Sequence, residues 1–411
     1  MPRNEPNKTA IYATTVTAFF AIAGIAIVDP ILPAIGKDFG ASIWQIELLF
    51  TAYIAVMAIG MIPAVMLTGK FGYKKILAAG VSIVAVAAGL AAASVNIGQL
   101  AALRGLWGLG NALFMATAMV LLVSLANDRS WAVELFETCV GLGFAIGPLI
   151  GGLLGEWSWR APFGLCAVFM VISLALSVTK LKDPAEMPAP LRFGHVFRPF
   201  RKPGFVLLSI ITGAYNFVFF IVLGYTPVFL RMDVVPLGLV FTAWGVGLAI
   251  GILLVGHKLA HKFGAVQTIG GALVVLLVAM LGIVLADESK PQIVAFLVVA
   301  GLAMGIMNAN LTDLALATGS PDRRVTTGAF NLVRWGFAAP APVVAGLLAE
   351  HVSLASPYWV GIGVLVVGML TYAFGAHVVA HGAGERVAWV RKMNDRAEAV
   401  EGSPAEAMEL V

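Results

Sequence analysis

From residue 10 to residue 380 the chain is a succession of apolar runs broken by short polar stretches. Each run has about 20 residues, enough to cross the hydrocarbon core of a bilayer as a helix. Twelve can be marked: 10–35, 43–68, 76–95, 97–126, 132–155, 161–180, 204–230, 236–256, 265–286, 293–317, 325–350 and 355–380. In lipid an unpaired N–H or C=O finds no water, so such runs are helical. The longest interior connection, 181–203, follows the sixth run. The pattern predicts an all-α membrane protein of 12 transmembrane helices in two pseudo-symmetric six-helix halves, 1–180 and 204–380. The connection 181–203 joins them, and a polar tail follows at 381–411.

The halves repeat weakly. Leu67-Thr68-Gly69-Lys70-Phe71-Gly72 follows the second run, and Leu259-Ala260-His261-Lys262-Phe263-Gly264 follows the eighth. Gly152-Leu153-Leu154-Gly155-Glu156 in the fifth run matches Gly346-Leu347-Leu348-Ala349-Glu350 in the eleventh, which sets Pro148 against Pro342. A parallel repeat of six helices is the plan of one transporter architecture, with the substrate site at the interface of the halves near mid-membrane. The fifth run carries Gly143, Gly147, Gly151 and Gly155 on one helix face, with Pro148 between them. In water each Gly costs a helix about 1 kcal/mol and an interior Pro about 3. In a membrane the same small residues let helices approach closely. Gly247 and Gly251 repeat the spacing in the eighth run, so the glycine face is expected to dock there. That contact would be a seam between the halves, sealing the cavity and giving way when the halves rock.

Composition narrows the class. The chain is 60% hydrophobic and 12% charged, against about 25% charged in soluble proteins, which excludes a soluble domain. Of the 26 Lys and Arg, Lys37, Arg160, Arg231 and Lys290 fall on one side and Arg104 and Arg334 within runs. All the others fall on the opposite side. The positive-inside rule makes that side, and both termini, cytoplasmic. The first run contains Asp29 and Pro30 and is longer than a signal-peptide core, so it is read as retained. The net charge of +4 follows from the loop asymmetry and is no nucleic-acid footprint. Cys139 and Cys166 have no metal or redox spacing and read as small buried hydrophobes. There is no phosphate-binding G-x-x-x-x-G-K-[ST] loop, Ser/His/Asp set or metal constellation. The expectation is therefore no enzyme, no catalytic residue, no metal and no cofactor. The stretch 191–203, with Phe193, Val196, Phe197 and Phe200 among basic residues, reads as a short helix on the inner leaflet or as a basic loop. Trp44, Trp157, Trp159 and Trp359 sit where an aromatic belt would.

These motifs resemble the major facilitator superfamily, in particular its twelve-helix drug:proton antiporters. The fifth run is similar to that group's G-x3-G-P-x2-G-G signature through Gly143, Gly147, Pro148, Gly151 and Gly152, followed by Trp159-Arg160-x-x-Phe163. Arg104 and Gly108 resemble its R-x-x-x-G pattern, and Asp29 and Pro33 its D-x-x-x-P pattern. The loop after the second run resembles G-x-L-A-D-R-x-G-R-K through Leu67, Lys70, Gly72, Lys74 and Lys75, with Val65 at its first Gly and Gly69 at its Asp. In the family that acid helps latch the cytoplasmic side. The resemblance implies a monomeric, proton-coupled secondary transporter of the inner membrane working by alternating access. Protons would be its coupling ion, and lipids and a small hydrophobic or amphiphilic substrate its partners.

Ionisable groups inside the runs are few: Asp29, Arg104, Glu134, Glu137, Asp313 and Arg334. A lone charge at mid-bilayer costs roughly 2.5–3.5 kcal/mol even on lenient scales, so each needs a partner or a cavity. Asp29 and Arg104 both lie roughly 10 Å below the outer edge at 1.5 Å per residue, so contact is allowed. Burial favours the neutral carboxyl and a nearby Arg the carboxylate. A cavity that opens and closes changes that balance, which is what a proton carrier requires; a permanent structural ion pair is the alternative. Glu137 reads equally as a second proton site or as a charge at a helix N-terminus, and Glu134 as the latter. Asp313 and Arg334 read as a structural or gating pair. Glu47, within two turns of the outer face, reads as solvated.

For the substrate, the carboxamides Asn111, Asn216, Asn308, Asn310 and Asn331 and the aromatics Tyr53, Trp107, Phe114, Tyr215, Phe217, Phe220 and Trp244 could line a greasy pocket with sparse polar handles. Taken singly, each reads rather as a core or lipid-facing side chain. The expected function is proton-coupled efflux of hydrophobic small molecules. The alternatives are a lipid or glycolipid flippase on the same scaffold, a specific metabolite transporter, or a membrane receptor or scaffold that transports nothing.

Overall fold

The computed structural model describes residues 8–125, 129–181, 183, 193–286 and 289–384. Within them the side chains at 8–9, 119–120, 123–125, 129–130, 133–134 and 137 lie outside the description. Eleven described helices are long and apolar enough to cross a membrane. A further helix, Ile97–Leu125, has 29 residues and one formal charge, Arg104. In order the helices are α1 Ala10–Phe39, α2 Ile43–Phe71, α3 Tyr73–Ala92, α4 Ile97–Leu125, α5 Arg129–Trp157, α6 Arg160–Lys180, α7 Pro203–Leu230, α8 Val234–Phe263, α9 Ala265–Leu285, α10 Lys290–Thr318, α11 Arg323–His351 and α12 Ser356–Ala383. They correspond one to one with the predicted runs.

Several helices are interrupted, mostly for a local reason. In α1 the α-helix stops at Ala26, a 3₁₀ turn covers Asp29–Ile31, and a second α-segment runs Leu32–Phe39. Pro30 and Pro33 supply no N–H there, so the regular ladder cannot pass through. In α7 the turn Ile221–Tyr225 widens to a π-helix just ahead of Pro227. In α8 a π-helical turn covers Gly251–Gly256; no proline accounts for it. In α11 the helix breaks at Ala339, before Pro340. Wide turns of this kind recur at functional sites.

The packing repeats across the two halves. α2 and α3 pack on α4, α1 on α5 and α6, and α3 on α6. In the same pattern α8 and α9 pack on α10, α7 on α11 and α12, and α9 on α12. The main contacts across are α5 with α8 and α2 with α11, and these two also exchange under the repeat. Gly72 and Gly264, aligned by the sequence repeat, have the same backbone, φ 90° and ψ 158° against φ 91° and ψ 150°. A positive φ of this kind favours glycine. The other repeat departs, because Pro148 lies within an unbroken α5 whereas α11 is broken ahead of Pro342.

The stretch after α6 resolves the choice left by the sequence. Residues Phe193–Arg201 form a 3₁₀ helix that packs on α11, α7 and α2, with Val196 fully buried. It is docked on the bundle rather than free as a loop.

Candidate functional site

The break in α1 presents Asp29 at the bundle interior, where it is fully buried. Arg104, on α4, is buried to the same degree. The two lie within electrostatic reach. They do not form a direct ion pair: among the described residues neither oxygen of Asp29 and no guanidinium nitrogen of Arg104 has a hydrogen-bond partner. The guanidinium instead sits over aromatic faces, 4.6 Å from the Tyr53 ring centroid, 4.9 Å from Trp107 and 6.0 Å from Phe50. Cation–π attraction of this kind strengthens when desolvated, to about 2 kcal/mol. Gly108 keeps α4 close to α2, since a Cβ there would lie 2.1 Å from the Tyr53 carbonyl oxygen. The depth argument thus brings Asp29 and Arg104 into one cluster, but not into a permanent salt bridge.

A third buried charge belongs to the cluster. Glu47 is fully buried on α2, both its oxygens lack partners among the described residues, and it lies in electrostatic reach of Asp29. The expectation that it is solvated is therefore wrong. It lies about one turn from the start of α2, as its place in the sequence implies. Its side chain, however, faces α7 and α11 rather than the membrane surface.

Of the expected cavity residues, Tyr53 and Asn111 meet: the Asn111 amide donates to the Tyr53 hydroxyl. Trp107 packs edge-on against Phe163 and over Gly24. Phe114 is buried where α4 crosses α3 at Gly80. In the other half the Tyr215 hydroxyl donates to the Met304 carbonyl at 3.0 Å, and Asn216 donates to Thr212 within its own helix. Phe220 stacks near Trp335. Asn308 accepts from Arg334, while Asn331 is half-buried on the same helix as Arg334. Trp244 joins Phe144 of α5 and Phe219 of α7 in edge-to-face contacts. Phe144 and Phe219 were not singled out in the sequence; only their partners mark them as joining the halves.

Other expectations need correction. Asp313 is exposed, and Arg334 bonds Asn308 instead, so they are no pair. Trp159 is buried, its indole N–H donating to Asp38 Oδ2 at 2.8 Å, whereas Trp157 is exposed as a belt residue would be. The side chains of Glu134 and Glu137 lie outside the described residues.

The glycine face of α5 docks differently from the expectation. Cβ atoms on Gly143, Gly147 and Gly151 would meet Ile22, Ala23 and Ile27, all in α1. The seam with α8 does form: Gly155, the last glycine of the expected face, meets Val234 of α8 as well as Ile31 of α1, and the rest of the seam lies on the neighbouring face of α5. Gly152 lies against Gly238, and Gly245 against the Phe144 carbonyl, where a Cβ would be 2.3 Å away. Pro148 contributes its carbonyl to the same seam, opposite Gly238. Gly247 and Gly251 face Val298, Leu302 and Gly305 of α10. The physical reason is angular: residues 143, 147 and 151 lie on one side of the helix and residues 141, 145, 148 and 152 beside it.

At the charge-rich end the loop 67–75 closes on Asp183. Its Oδ1 accepts from the Lys74 backbone N–H at 2.7 Å, and a Cβ on Gly72 would strike the same carboxylate. An acid thus stands at the N-terminus of α3, from outside the loop. Lys70 lies over the Phe71 ring.

Twelve helices in repeated halves, with buried charges among them, are the build of a multi-pass membrane transporter. Residues 14–342 match the sequence profile of the Major Facilitator Superfamily. The chain is 36% identical over 374 residues to the multidrug efflux protein YfmO of Bacillus subtilis, covering 89% of this chain and 93% of that one. It is 23% identical over 372 residues to the quinolone resistance protein NorA of Staphylococcus aureus, covering 88% and 95%. Among solved structures it is similar to an inward-facing, unoccupied bacterial homolog of the human lysosomal transporter Spinster, with TM-score 0.71, 16% identity and coverage of 93% and 98%. It is also similar to the human organic anion transporter MFSD10, with TM-score 0.72, 16% identity and coverage of 90% and 100%. The chain belongs to the Major Facilitator Superfamily.

Proposed function

We propose that this protein exports hydrophobic or amphiphilic small molecules in exchange for protons, by alternating access of its two halves. The observation that carries the proposal is the fully buried Asp29, without a hydrogen-bond partner and within the field of Arg104. A charge taken out of water loses several kcal/mol of hydration unless it is compensated. Arg104 compensates Asp29 only at a distance, so the proton occupancy of Asp29 depends on how much water the cluster admits. Opening and closing of the interface changes that access, which couples a proton to the conformational cycle. The cage of Phe50, Tyr53 and Trp107 keeps Arg104 in place without neutralising it.

The relatives support the substrate class, since one is a multidrug efflux protein and another a quinolone resistance protein. The buried aromatic cluster of Phe144, Phe219 and Trp244, extended by Tyr215 against Phe219, supplies the apolar lining such substrates need where the halves part. Residues 1–180 and 204–380 are the two moving halves, the termini are cytoplasmic, and the protein works as a monomer in the inner membrane with no cofactor. Lipid flipping has one feature in its favour: a groove of about 600 Å³ between α8, α9 and α10, with Leu259, Lys262, Phe263 and Thr268 in its lining, suits an acyl chain and an anionic headgroup. The test is Asp29→Asn in proteoliposomes under an imposed pH gradient. Uphill export is lost while substrate binding persists. Full proton-driven export by the variant sinks the assignment.

A further inference from the structure

Glu47 enters α2 one turn after its start and projects across the interface between the halves. Its surroundings are built for it. A Cβ on Gly224, in the π-helical turn of α7, would sit 2.7 Å from Glu47 Oε2. A Cβ on Gly346, in α11, would sit 3.2 Å from Glu47 Cγ and 2.6 Å from Trp44 Cα. Two glycines of the opposite half thus open a notch that the carboxyl group fills. The polar groups nearby are already committed. The Tyr225 hydroxyl donates to the Leu354 carbonyl at 2.7 Å, and the Tyr358 hydroxyl bonds Thr226 at 2.8 Å.

The charged and titratable groups around the notch come from four helices. Asp29 of α1 repels a carboxylate there, and Tyr225 of α7 and Tyr358 of α12 lie in its field. Arg104 of α4 sits in the same cluster but over its aromatic cage. From α11 the facing residue is Gly346, which has no side chain, while Glu350 and His351 of that helix are exposed. Among the described residues no group hydrogen-bonds either oxygen of Glu47, so the notch suits the neutral carboxyl form over the ion.

We propose that Glu47 is a second proton-binding site: its protonation lets the halves dock at the charge-poor end, and the proton is released when they part. Docking of α2 against α7 and α11 requires the neutral form. Parting exposes Glu47 to water, where it ionises, and the ionised form cannot return to the notch until it takes up a proton. The bond made and broken is a carboxyl O–H, and the proton leaves to water on the opened side. This rests on the proton-coupled reading above, but it adds a carboxylate from α2 to the one in α1 and assigns it to a different event.

The test reads conformation and not export, so it fails separately from the test of Asp29. Val95→Cys and Leu285→Cys place labels on exposed positions of opposite halves at the charge-poor end; Cys139 and Cys166 are buried. Interlabel distances are measured by pulsed spin resonance on the full-length protein in lipid nanodiscs, from about pH 5 to about pH 8. The closed-state distance dominates at low pH. Release of one proton on opening raises the open-to-closed ratio by about tenfold per pH unit across the transition. Glu47→Gln, which fills the notch as a neutral isostere, stays closed at every pH. Glu47→Asp, which keeps a titrating group, and Asp29→Asn both retain a transition. A Glu47→Gln protein that opens as the wild type does, a Glu47→Asp protein that has lost the transition, or a wild type whose distances ignore pH overturns the proposal.

Discussion

The α5–α8 seam can be tested by adding one methyl group to it. In Gly245→Ala the new Cβ would lie 2.3 Å from the Phe144 carbonyl oxygen and 2.7 Å from Ala145 Cα. An unstrained carbon–oxygen contact is about 3.3–3.6 Å, so the methyl is short of room by about 1 Å. Both obstacles are backbone, which no rotamer change relieves. Overpacking of this size costs about 1–3 kcal/mol. The cost falls on whichever conformation holds α5 against α8 at this level, and a conformation that relaxes the seam escapes it. The ratio of the two therefore shifts by about 5–150-fold. Gly147→Ala is the control. Its Cβ would lie 2.8 Å from the Ala23 carbonyl and 3.2 Å from Ala26 Cβ, both in α1 of the same half. That contact travels with the half, so the penalty lowers thermal stability and leaves the conformational ratio alone. The assay combines the label pair at Val95 and Leu285 with thermal unfolding of each variant. If Gly245→Ala lowers the melting temperature as Gly147→Ala does and leaves the distance distribution unchanged, the seam is not a moving contact and the reasoning fails.

Two smaller perturbations follow from single hydrogen bonds. Thr51 of α2 donates to the Ala339 carbonyl at 2.8 Å and accepts from the Val343 N–H at 3.3 Å. It is thus inserted in the ladder of α11 at its break. Thr51→Val keeps the shape but leaves Val343 to close on Ala339 directly; stability falls by about 1 kcal/mol and transport slows, measured by unfolding and substrate efflux. Unchanged efflux rates would show that the break does not flex in the cycle. Asp183→Ala removes the acceptor for the Lys74 N–H at the start of α3, a loss of about 1 kcal/mol for a helix N-terminus. Faster hydrogen exchange at Lys74 and Lys75 in that variant checks it, and unaltered exchange refutes it.

Much of the fold was legible because lipid leaves little choice. A run of apolar residues must become a helix, so the number and order of helices follow from hydropathy alone. The internal repeat was legible where a backbone constraint forced it: Gly72 and Gly264 share a conformation that favours glycine. It faded at Pro148 and Pro342, because the neighbour at 340 is a second proline only in the later half. The connection after α6 could not be assigned from its pattern, since the same phenylalanines suit a membrane surface or a protein groove. Burial of Val196 against the bundle decides between them.

The candidate site was legible in one coordinate and not in another. Counting residues from a helix end gives depth, and depth paired Asp29 with Arg104. It says nothing about rotation of a helix about its axis, and rotation decides what a side chain meets. Glu47 shows the consequence, because its shallow position suggested water while its direction points it into Gly224 and Gly346. The glycines of α5 show it again. Four-residue spacing marks one close-packed face, but α5 presents two, one to α1 and one to α8. The first is held within a half and the second is shared between halves. Small residues at a membrane interface are therefore ambiguous between a rigid joint and a sliding one. The distinction needs the partner helix: under the proposed rocking of the halves, a contact is free to move only where the opposing backbone belongs to the other half, as at Gly238 and Gly245, and it is fixed where the opposing backbone moves along with it, as at Ala23 and Ile27.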